Sequence, residues 1–101
     1  MGRLERMRGT LRELERLADS AREHEQHMAK GLRSSSSWTC QADRDWIRWA
    51  AADATTAREQ AEASLTEGRA LLAHVQLIAD LGHAADRHRD TNHCTNRRAE
   101  A

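Results

Sequence analysis

The sequence predicts an all-α fold, a helical hairpin of two long helices with coiled-coil-like packing. Each half of the chain carries one row of apolar residues at alternating steps of 3 and 4, and such steps put a row on one face of a helix. The chain also lacks proline and contains 18 residues of alanine, the best helix former. The first row, which Glu25 interrupts, is Leu4, Met7, Leu11, Leu14, Ala18, Ala21, Met28 and Leu32; the second is Ile47, Ala50, Ala54, Ala57, Ala61, Leu65, Gly68, Leu72, Val75 and Ala79.

The first row predicts a helix over residues 3–30. Lys30 favours the negative end of the helix dipole, and Gly31 readily ends a helix because it can adopt the left-handed conformation. Four consecutive serines follow, and their side chains compete for backbone hydrogen bonds. We therefore expect a Ser-rich connection over 31–38, short enough to turn the second helix back antiparallel.

The second row predicts a helix over residues 39–81, with Thr39 as its N-cap and Gly82 after its end. Gly68 is the weak point, since Ser64 to Glu67 match a capping box, and a break there would give a three-helix bundle. We favour continuity because Gly68 lies in line with the alanines of the row, where a small residue permits close helix packing. A short helix over 83–90 then completes one domain, 1–90, before a flexible tail, 91–101.

The apolar content favours a homodimer. Leucine, isoleucine, valine and phenylalanine together contribute only 13 residues, so a monomer buries little apolar surface against the entropy cost of folding. Self-association commonly supplies the missing burial.

The net charge is zero, and no apolar run follows the basic start or is long enough for a transmembrane span. We expect a cytoplasmic protein without a membrane partner; its fifteen arginines against one lysine suggest a GC-rich bacterial or phage gene.

Three tryptophans form the candidate partner-binding site. Trp38, Trp46 and Trp49 are the only aromatic residues besides histidine, and they lie within twelve positions. Tryptophan is enriched at interface hot spots because it buries a large area and keeps one hydrogen-bond donor. Trp49 is predicted to point away from the apolar row and Trp46 to flank it, while Arg44 and Arg48 are placed to pair with acidic groups of a partner. The alternative is that the rings close the end of the hairpin.

Histidines near the C-terminus provide an alternative function, transition-metal binding. Imidazole and thiolate are good ligands for zinc, and the candidate ligands are His83, His88, His93 and Cys94. However, these histidines are five residues apart, which places them roughly 140° apart around a helix rather than on one face. We therefore predict no cofactor and no metal site, with solvated histidines instead.

No catalytic motif is present, and we predict that the protein is not an enzyme. The sequence has no nucleophile elbow, phosphate-binding glycine loop or dinucleotide fingerprint. Nucleic acid is not the expected partner either, because glutamates interleave with the basic residues of the first helix and cancel much of their field. What remains is a helical protein-interaction module that acts as an adaptor, inhibitor or regulator of a larger protein. Metal binding and weak nucleic-acid binding are the alternatives.

Overall fold

Two long antiparallel helices form the chain in the computed structural model, which describes residues 2–100 and the side chains of residues 2–89. Helix α1 spans Arg3–Ser34, a short 3-10 turn spans Ser35–Ser37, and helix α2 spans Gln41–Glu100. The predicted all-α hairpin is therefore confirmed, and no β-strand occurs within residues 2–100. The molecule is a rod of 93 × 19 × 14 Å.

Both helices run further than their glycines suggested. The predicted helix ends at Gly31 and Gly82 are wrong, because both residues lie inside helices, and no glycine of residues 2–100 has a positive φ. A Cβ at Gly31 would lie 3.0 Å from Cδ1 of Ile47, so Gly31 permits close contact between the helices instead of ending one. The short helix 83–90 is part of α2. The flexibility predicted for 91–101 stays a prediction: the backbone is helical to Glu100, and those side chains lie outside the described residues.

Helix α2 passes through Gly68 without a break, as predicted. A Cβ on Gly68 would meet Cδ1 of Leu14 at 3.2 Å and Cδ1 of Leu11 at 3.3 Å. The leucine methyl groups therefore occupy the space that a side chain at position 68 would fill. Close approach between the helices explains this glycine, and the three-helix alternative is wrong.

The surface between the helices follows the two predicted rows, apart from Leu32 near the end of α1, which is 38% exposed, and one position of α2. Ala18, Ile47, Ala54 and Leu65 are buried, and most other members of the rows are half-buried. Ala57, however, is exposed, and its neighbour Arg58 lies at the interface in its place. The apolar pattern favoured the alanine, but a step of 4 from Ala54 turns the arginine toward α1 instead.

Arg58 pairs with Glu25, the residue that interrupts the first row. Its Nε lies 3.0 Å from both carboxylate oxygens of Glu25, and each side chain is only 25% exposed. Glu62 accepts a further hydrogen bond from Nη1 of Arg58 at 3.0 Å and lies 3.3 Å from Nε of Arg22 on α1. Two arginines and two glutamates, two from each helix, thus form one polar layer across the middle of the hairpin.

We expect the Glu25–Arg58 pair to make stability depend on pH. The hydrogen bond from Arg58 holds the pKa of Glu25 below its ordinary value of 4.5. Because this pKa is lowered, the pair stabilises the fold fully at pH values above the ordinary pKa of Glu25. That stabilisation is lost as the pH falls through the pKa of Glu25 in the folded protein. Between pH 6 and pH 3, the melting temperature should therefore fall more steeply for the wild type than for Glu25→Gln.

The control for this experiment is Glu23→Gln, which removes an exposed carboxylate from the same helix. Its melting temperature should follow the wild-type curve over the whole pH range. If Glu25→Gln also follows that curve, the Glu25–Arg58 pair does not stabilise the fold.

The glycines provide a second test of the helix interface. A Cβ on Gly9 would have no neighbour within 4 Å, so Gly9→Ala should stabilise α1 by about 1 kcal/mol through helix propensity. Gly68→Leu should destabilise the protein by about 1–3 kcal/mol, because its side chain would overpack against Leu11 and Leu14. Urea unfolding of both variants measures the difference, and a neutral Gly68→Leu would contradict the close packing described above.

Candidate functional site

Serine hydroxyls shape the end of the hairpin that carries the tryptophans. Ser34 Oγ donates to the Lys30 carbonyl at 3.0 Å, Ser35 Oγ to that of Leu32 at 2.6 Å, and Ser37 Oγ to that of Ser34 at 2.9 Å. These carbonyls belong to the last turns of α1, and the Leu32 carbonyl also accepts the backbone N–H of Ser35. The serine side chains thus fold back onto the end of α1, where the last four carbonyls of a helix lack helical partners.

Arg44 fastens the start of α2 to this turn. Its guanidinium donates to the carbonyl of Trp38 and, at 2.6 Å, to Oε1 of Gln41. The Gln41 amide in turn donates to Asp45 at 2.8 Å. Arg44, which the sequence suggested as a partner contact, is thus engaged within the chain and holds Trp38 in position.

Trp46 and Trp49 project from the first turns of α2 into solvent. They are 57% and 66% exposed, whereas Trp38 is half-buried. The outward position predicted for Trp49 agrees with this exposure. The position flanking the apolar row that was predicted for Trp46 does not, because a ring that is more than half exposed contributes little to the interface between the helices.

A shallow hollow lies between Trp38 and Trp46. Its volume is about 520 Å³, and its other lining residues are Ser37, Thr39, Cys40 and Asp43. Sequence reasoning missed this hollow because it depends on the path of the turn and not on residue spacing. The lining combines two indole rings with two hydroxyls, a thiol and a carboxylate.

Arg48 completes the candidate site on the exposed side of α2. Its Nη1 lies 3.5 Å from Oδ1 of Asp45, and both side chains are more than 60% exposed. An exposed pair of this kind contributes little to stability, so its opening costs little. Arg48 is therefore available for a partner in a way that Arg44 is not.

The four candidate metal ligands are not brought together by the part of the chain that the structure describes. His83 and His88 are exposed on α2, and the side chains of His93 and Cys94 lie outside the described residues. Among the described side chains, no group of three or more histidine, cysteine, aspartate or glutamate residues is placed to hold a metal ion.

Comparisons with family models, curated proteins and solved structures find no match for this chain. Within the described residues, neither helix has an apolar stretch long enough to cross a bilayer.

The exposure of the rings predicts how their removal affects folding. Trp46→Ala and Trp49→Ala should each change the free energy of unfolding by less than about 1 kcal/mol, since neither ring is enclosed by the hairpin. Chemical denaturation followed by circular dichroism measures both values. A loss of about 3 kcal/mol or more, typical of a buried tryptophan, would show instead that the rings stabilise the end of the hairpin.

Proposed function

We propose that this protein is a non-enzymatic interaction module that binds another protein through the end of the hairpin bearing Trp46 and Trp49. The observation that carries the proposal is the exposure of both rings, at 57% and 66%, on the first turns of a long helix. The hairpin closes without enclosing these rings. Removing large aromatic side chains from water is favourable, and such side chains are typical anchors of protein interfaces.

Rigidity supports this proposal. Both rings project from helical backbone that Arg44, Gln41 and the serine turn fasten in place. Anchors that are already in position lose less conformational entropy on binding than anchors on a mobile loop. Arg48 lies one residue before Trp49, and the combination of tryptophan and arginine is characteristic of hot spots.

The charge of the site indicates the kind of partner. Arg48 offers a cation whose contact with Asp45 is exposed and weak, and Asp43 lies nearby on the same turns. A partner surface with an apolar pocket and mixed charges around its rim would complement it. We propose that, on binding, the protein acts as an adaptor or as an inhibitor of a larger protein.

The test is capture of a partner from the native host, followed by calorimetry with the purified pair. We expect Trp49→Ala to weaken binding by roughly 2 kcal/mol, which is about thirtyfold in Kd. Leu17→Ala is the matched control, because Leu17 is 60% exposed but lies on α1, outside the tryptophan end. Unchanged binding after removal of both Trp46 and Trp49 would refute the proposal.

A further inference from the structure

A further row of exposed residues, largely apolar, runs along α2 on a face that α1 does not cover. It comprises four apolar residues and two histidines at alternating steps of 3 and 4, which we call the outer seam: Leu71, His74, Ile78, Leu81, Ala85 and His88. Such spacing is that of a helix that packs against another helix. Upstream, the same spacing reaches Glu67, Ser64 and Gln60, so the outer seam begins only at Leu71.

The second half of the outer seam lies where α2 extends past the start of α1. The contacts of Glu25 with Arg58 and of Glu15 with Arg69 fix the antiparallel alignment. Extended to Arg3, this alignment places the start of α1 beside about residue 80 of α2. Every described side chain from Asp80 to Arg89 is exposed accordingly. Most helical stability in proteins comes from tertiary packing, so a covering surface would stabilise this end of α2.

An apolar groove continues this surface onto α1. The groove has a volume of about 250 Å³ and is lined mainly by Met7, Leu11, Leu14 and Leu71, with Arg3 and Arg6 at its edge. Leu71 belongs both to the groove and to the outer seam. A helix that lies on the outer seam therefore also covers the open side of the established α1–α2 interface.

We infer that a second copy of this chain occupies the outer seam, with the two α2 helices antiparallel and Ile78 of each copy opposite Leu81 of the other. Charge at the two ends of the seam favours a second copy and an antiparallel direction. Glu67 flanks one end, and Arg89, whose contact with Asp86 on the same helix is long (3.9 Å) and exposed, flanks the other. Antiparallel pairing brings Glu67 of each copy near Arg89 of its partner, whereas parallel pairing would oppose like charges.

Matched leucines test the surface. Leu81 and Leu17 are 61% and 60% exposed, so a glutamate at either position should leave the hairpin folded. In sedimentation equilibrium we expect a wild-type dimer, a dimer Kd raised at least roughly thirtyfold by Leu81→Glu, and no change with Leu17→Glu. A wild type that remains monomeric up to millimolar concentration, or equal effects of the two variants, would overturn the inference.

Disulfide trapping tests the direction independently of any loss of folding. In a background with Cys40→Ser and Cys94→Ser, we expect a mixture of His74→Cys and Ala85→Cys proteins to form a cross-linked heterodimer under mild oxidation. Either variant alone should cross-link poorly, because antiparallel pairing separates identical positions by more than about 15 Å. Efficient cross-linking of His74→Cys with itself would indicate a parallel pair and refute the arrangement.

Charge reversal tests the ends of the seam. Glu67→Arg and Arg89→Glu should each raise the dimer Kd by roughly three- to tenfold, and the double variant should recover most of the loss. Additive losses in the double variant would contradict the proposed pairing. Trp49→Ala should leave the dimer Kd unchanged, which separates this interface from the one at the tryptophan end.

Discussion

The contact between Glu25 and Arg58 determines the alignment on which the other contacts depend. The rows on both helices consist largely of alanine and leucine at repeated spacing, so a shift of one heptad would still bring apolar residues together. Such a shift would separate the half-buried carboxylate of Glu25 from the half-buried guanidinium of Arg58 and leave each without its ion-pair partner. Separation of a partly buried charge pair costs more than its formation gains, so the pair excludes the shifted alignments even though it adds little net stability.

Several features follow from that alignment. It places Gly68 against Leu11 and Leu14 and Gly31 against Ile47, where a Cβ would force the facing methyl groups to shift. It also places the start of α1 beside about residue 80 of α2, so the longer helix continues beyond α1. The free length of α2 and the exposed outer seam are therefore consequences of the same contact, not independent properties of the C-terminal residues.

The sequence predicted the hairpin and the continuity of α2 at Gly68, because these depend on periodicity and local chemistry. The connection predicted over 31–38 lies at 35–40 instead, since residues 31–34 belong to α1 and α2 begins at Gln41 rather than at 39. It did not predict that Arg58 replaces Ala57 at the interface, since an assignment by hydrophobicity prefers the alanine. Nor did glycine identify the helix ends: Gly31 serves interhelical contact, and Gly82 stays helical within α2.

At the candidate site, helical spacing placed Trp49 outward. The engagement of Arg44 depends on the path of the turn, which spacing does not specify. The spacing of the outer seam is present in the sequence. It was not predicted because a hairpin requires only one apolar row on each helix, and those two rows had already been found.

The two proposed surfaces lie far apart on one rigid element. From Trp49 to Ile78 the helix rises about 44 Å, so a partner at the tryptophan end does not compete with a second copy on the outer seam. Antiparallel pairing would direct the two tryptophan ends away from each other, roughly 90 Å apart. A dimer of this shape binds two separate sites or two copies of a partner, and it gains affinity from the second contact only where those sites match its span. The length of α2, more than the chemistry of any single residue, would then select the assemblies that the protein recognises.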